Sequence, residues 1–67
     1  MIILECIRSN EDVFVLSNVK YVHVKKLEDN SKELKIITVE KEVLIHRLTD
    51  FISVLVTNGN YSKQLVE

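Results

Sequence analysis

The stretch Leu48-Thr49-Asp50-Phe51-Ile52-Ser53-Val54-Leu55-Val56-Thr57-Asn58-Gly59 decides how this 67-residue chain folds. Counting Leu44 and Ile45 just before it, apolar residues fall at 44, 45, 48, 51, 52, 55 and 56, and polar ones at 46, 47, 49, 50, 53 and 57. That spacing draws one apolar stripe on an amphipathic helix, with Val54 the misfit pointing away from it. Thr49 or Asp50 would cap the start, and Asn58-Gly59 would end the helix with Gly59 in the left-handed conformation. The same Asn-Gly pair also reads as a tight hairpin turn that would set Ile52, Val54 and Val56 against Tyr61 and Leu65. The β-branched side chains of Ile52, Val54, Val56 and Thr57 lean toward that second reading. The stripe is the more regular pattern and predicts a helix near 48–58, following a short strand at 43–47.

Upstream, the pattern is strand-like. Ile2 to Arg8 alternates imperfectly and is followed by the short polar run Ser9-Asn10-Glu11-Asp12, which favours a turn. Val13 to Ser17 reads as a second strand, with Asn18 a brief break. Val19 to Leu27 reads as a third, Glu28-Asp29-Asn30-Ser31 as a loop, and Leu34 to Glu40 as a fourth strand. The expected fold is therefore α+β: a single small domain over 1–67, with an antiparallel sheet of four or five strands followed by one C-terminal helix. The alternative is an all-β chain with a C-terminal hairpin at 51–66.

Composition supports a strand-rich chain. Hydrophobic residues make up 46%, and Val, Ile and Thr fill 20 positions, while Pro and Ala are missing and Gly59 is the only glycine. Such a chain is too apolar for disorder and too poor in Gly and Pro for a linker or a collagen-like repeat. Charges are mixed, with 9 basic and 10 acidic groups and a net charge of −1, so no basic arm or acidic tail stands out. Cys6 has no internal disulfide partner and reads as a small buried hydrophobe. Glu5 interrupts the apolar start and no basic segment precedes it, unlike a signal peptide. No apolar run approaches the length of a membrane-spanning helix. These features give the expectation of a cytoplasmic protein, in the host cytoplasm if the chain is phage- or virus-encoded.

Chemistry-bearing residues are sparse. His23 and His46 lie on different elements, and with Cys6 they offer three scattered groups where zinc needs a clustered set. The carboxylate pairs Glu11-Asp12, Glu28-Asp29 and Glu40/Glu42 fall mainly in turns, where they are solvated. One glycine cannot build a phosphate-cradling loop. No catalytic, metal or cofactor-binding residue is assigned, and enzymatic function is not expected.

The apolar content points instead to association. Several strands are apolar on both faces, and one helix covers only one of them. The uncovered face calls for a second copy or another protein. The expectation is a non-enzymatic protein–protein interaction module, homo-oligomeric, acting as a small accessory, adaptor or inhibitor protein, with Val13, Val15, Val22, Val24 and Val54 at its interface. The alternative is a small nucleic-acid-binding regulator that uses Lys20, Tyr21, Lys25, Lys26 and Lys35 for phosphate contact and stacking.

Overall fold

A computed structural model describes residues 1–66. The elements run β1 (Ile2–Arg8), β2 (Val13–Lys26), β3 (Lys32–Thr38), β4 (Val43–Arg47), a 3-10 turn (Leu48–Asp50), β5 (Phe51–Asn58) and β6 (Tyr61–Gln64). All six strands join one antiparallel sheet in the order β4-β3-β2-β1-β5-β6. No helix among the described residues is long and apolar enough to cross a membrane.

The chain is all-β, and the α+β expectation with a helix near 48–58 is overturned. Two local irregularities had imitated a helical stripe. The 3-10 turn repeats every three residues, so Leu48 and Phe51 both point inward and are buried. A register shift then falls between the Ile7↔Ser53 and Arg8↔Phe51 pairs and leaves Ile52 as the extra, exposed residue. Beyond the bulge the period is two, with Val54 fully buried and Val56 packed on the core. A three-residue period followed by a shifted two-residue period reads as 3.6 in sequence. A C-terminal hairpin forms instead, closed by the Asn58↔Tyr61 pair around Gly59-Asn60. Gly59 has φ +63° while Asn60 is not left-handed, the sign pattern of a type II′ turn with glycine at its first central position.

The other three hairpins share one loop design. In each, a residue donates its N–H across five positions and accepts from the fourth: Arg8 with Asp12 and Glu11, Leu27 with Ser31 and Asn30, Thr38 with Glu42 and Lys41. The fourth residue is left-handed every time: Glu11 at φ 73°, Asn30 at 69° and Lys41 at 69°. This is a type I turn closed by a left-handed residue. Asn10 Oδ1 accepts from the Asp12 amide at 3.1 Å, and Asp29 Oδ1 from the Ser31 amide at 3.0 Å. Short polar side chains thus set the first two loops locally.

β2 is long because it serves two groups of strands. Its first part pairs with β1 and its last part with β3, and its register shifts against each partner near residues 17–20. Asn18, expected as a break, lies at this bend without interrupting the strand. Its carbonyl accepts from the Val39 amide at 2.8 Å, and its Nδ2 donates to Glu40 Oε2 at 2.8 Å, tying the β3–β4 loop to the bend.

The short β4–β5 link rolls the sheet. Flat, β4 and β5 would stand four strand spacings, about 19 Å, apart. The four peptide steps from Arg47 to Phe51 span about 14 Å at full extension, and less as a 3-10 turn. The sheet therefore curls so that β4 nears the start of β5. His46 and Phe51 ring centroids lie 5.6 Å apart, and Phe14 of β2 is 5.9 Å from Phe51. Leu4, Cys6, Val19, Leu34, Ile36, Leu48, Phe51 and Val54 form the buried core inside the curl.

Candidate functional site

The inward faces meet one another, so unpartnered apolar surface lies on the outer, convex side. On β2, β3 and β4 the register fixes three outward rows: Tyr21–Ile37–Val43, His23–Lys35–Ile45 and Lys25–Glu33–Arg47. Alternation sends the intervening Val22, Val24, Leu34, Ile36, Leu44 and His46 inward. Tyr21, Val43 and Ile45 are 50%, 53% and 57% exposed, and Ile37 between them is half-buried. The Tyr21 and His23 rings stack at 6.1 Å with an interplanar angle of 16°.

This surface ends at an open sheet edge. Among the described residues β4 pairs with β3 alone. The Thr38 amide donates to the Glu42 carbonyl at 3.0 Å. Hydrogen-bonded pairs alternate along an antiparallel ladder, so the Ile36↔Leu44 and Leu34↔His46 pairs carry the ladder bonds. Val43 and Ile45 direct their N–H and C=O groups away from β3, Arg47 does so with its N–H while its C=O opens the 3-10 turn, and all three side chains line the outer face. β4 shows no bulge and carries no proline to blunt it. The opposite edge, β6, is four residues long, fully exposed and bears Lys63.

A second outer patch lies on β1, β5 and the first part of β2. Val13 and Val15 are exposed there, in the rows Val13–Ile7–Ser53 and Val15–Glu5–Leu55. The structure thus places Val13 and Val15 on the surface. Val22 and Val24 are half-buried and pack against the core, and Val54 is fully buried, since the helix that would have turned it outward does not form. Of the basic and aromatic set, Tyr21, Lys25 and Lys35 share the outer face of β2 and β3. Lys20 lies at the bend, and Lys26 opposes Lys32 at the strand ends. All five are exposed. Sequence reasoning did not single out Ile37, Val43 or Ile45; their signal was the run of apolar residues serving both faces of β3 and β4.

The remaining chemistry-bearing groups are not brought together. His23 is on the outer face, whereas His46 packs inside against Phe14 and Phe51, and Cys6 is buried. Among the described residues no three His, Cys, Asp or Glu side chains cluster as metal ligands would. Burial pushes the Cys6 thiol up to about 11, with Arg8 pulling it the other way, so the sulfur is held protonated. The Ser31 hydroxyl and amide hold the Asp29 carboxyl below its usual range. One open cleft of about 260 Å³ has Leu48, Phe51, Leu65 and Val66 as its apolar lining and Asn30, Ser31, Lys32 and Thr49 as its polar lining.

These features leave an exposed apolar outer face and a strand edge on a small rolled sheet. No protein-family model, curated protein or solved structure matches the chain.

Proposed function

We propose that this chain is a non-catalytic protein-binding module whose working surface is the outer face of β2, β3 and β4. The observation that carries this reading is the open edge of β4, lined by exposed Val43 and Ile45 and continuous with Ile37 and Tyr21. An edge strand with free backbone groups and alternating exposed apolar side chains recruits another polypeptide by strand addition. A photo-crosslinking residue at Tyr21, compared with one at Lys63 on the opposite edge, tests this in the cell of origin. Protein adducts from position 21 and not from 63, abolished by Val43→Lys, support the reading. Equal adducts from both positions refute it.

A nucleic-acid reading draws support from the stacked Tyr21–His23 pair beside Lys25 and Lys35, although Glu33 divides the basic groups. A single-stranded probe titrated at two salt concentrations tests it. Binding that does not weaken as salt rises refutes phosphate contact.

A further inference from the structure

We infer that the partner of the β4 edge is a second copy of this chain, paired antiparallel across a two-fold axis at Ile45. This rests on the protein-binding reading above and names the occupant of that surface.

The argument is one of self-complementarity. Two β4 edges can pair only so that outward-facing backbone groups meet outward-facing ones, so Val43, Ile45 and Arg47 must oppose members of the same set. Centring the axis on Ile45 matches Val43 with the partner's Arg47, Ile45 with the partner's Ile45, and Arg47 with the partner's Val43. All three outward residues of each strand are then used. Moving the axis to Leu44 or His46 leaves one outward residue of each copy without a β4 mate.

Side chains agree with the central register. Ile45 meets its own copy, apolar against apolar, and Arg47 faces Val43 instead of another cation. On the outer face the central row continues as His23–Lys35–Ile45 and then its mirror image, which keeps the two Lys35 groups apart by two isoleucines. The row beside it runs from Tyr21 through Ile37 and Val43 to the partner's Arg47, whose own neighbour is the partner's Glu33. Like charges are directly opposed nowhere along the β4 pairing. The edge is also regular over its whole length, as strand addition requires. A C2 contact closes on itself and so gives a dimer.

Sedimentation equilibrium on the full chain, from micromolar to hundreds of micromolar, tests the inference. The mass should rise from 7.8 kDa toward twice that value. Ile45→Lys sets two ammonium groups face to face and should weaken the dimer by about tenfold or more. Ile45 is largely exposed, so the fold itself should survive, as circular dichroism would show. Ile45→Cys reads the register directly. It should form a disulfide-linked dimer under mild oxidation, whereas Val43→Cys, four residues off its own mate, should not. The buried Cys6 does not compete.

A mass of 7.8 kDa at every concentration overturns the inference. So does self-crosslinking through position 43 as fast as through 45. If the chain stays monomeric while the position-21 crosslinker still captures another protein, self-pairing fails and the protein-binding reading stands. If both are absent, both fail.

Discussion

The three type I loops end on left-handed residues, and two of these, Glu11 and Lys41, carry side chains that the conformation disfavours. Glu11→Gly and Lys41→Gly should therefore stabilise the fold. The left-handed region costs a non-glycine residue about 1–2 kcal/mol. Glycine returns about 0.5–1 kcal/mol of that through the greater freedom of its unfolded chain. Each substitution should then gain about 0.5–1 kcal/mol. The two positions lie in different loops and are both exposed, so the gains should add to within about 0.5 kcal/mol. For a domain of this size, about 1.5 kcal/mol raises Tm by roughly 6–12 °C. Asn30→Gly should do less, because asparagine tolerates this region. Gly59→Ala supplies the opposite sign. A Cβ at Gly59 meets nothing within 4 Å, so its cost is conformational alone, about 1–3 kcal/mol. Thermal and urea unfolding followed by far-ultraviolet circular dichroism measures all four. If both Glu11→Gly and Lys41→Gly prove neutral or destabilising, the left-handed residues are not the weak points of these loops and the reasoning fails.

Other outcomes follow from the core and its titrating groups. Leu34→Ala empties a fully buried position between Val24 and His46 and should cost about 2–5 kcal/mol. Denaturant titration checks this, and since 67 residues supply about 3–10 kcal/mol in total, the variant should lose roughly half of its stability and unfold at a markedly lower denaturant midpoint. Because the folded Cys6 value lies above the ordinary thiol value, its contribution is intact below about pH 9 and is lost as pH climbs through about 11. Cys6→Val should flatten that alkaline fall in Tm, and native Cys6 should resist a thiol reagent at pH 8 until the chain is unfolded. Asp29 has the reverse sign: its depressed value favours the fold above the ordinary carboxylate range, and that is lost as pH falls through the folded value. Asp29→Ala should narrow the difference in stability between neutral and acid pH.

Where the chain obeyed a single period, the sequence was readable. The strands at 2–8 and 43–47 and the turns at 9–12 and 28–31 were recovered because alternation and Asx-forming side chains act locally. The β3–β4 turn was not, since Val39-Glu40-Lys41-Glu42 carries no customary turn residue and is held from a distance by Asn18. The failure at 48–58 has the same origin. Whether Leu48 and Phe51 point inward depends on the sheet rolling over them, a tertiary effect that local spacing cannot report. The site was legible only in kind. Surplus apolar surface was evident from the composition, but its location required knowing that β4 is an edge and that Val54 is interior.

The pairing of β1 with β5 has a consequence for how the chain is made. Leu4 is matched with Val56, and Cys6 with Val54, whereas the β1–β2, β2–β3, β3–β4 and β5–β6 contacts join neighbours in sequence. During synthesis β1 emerges early, and β2 can cover one of its sides almost at once. Its other side has no mate until some 50 residues later, roughly 3–10 s at ordinary elongation rates. Through that interval the nascent chain shows a second bare strand edge, rich in isoleucine, that the finished protein hides. Closure by β5 is thus the long-range contact that ends this exposure to aggregation. Conditions that slow translation beyond residue 50 should lower the yield of soluble chain more than conditions that slow it earlier.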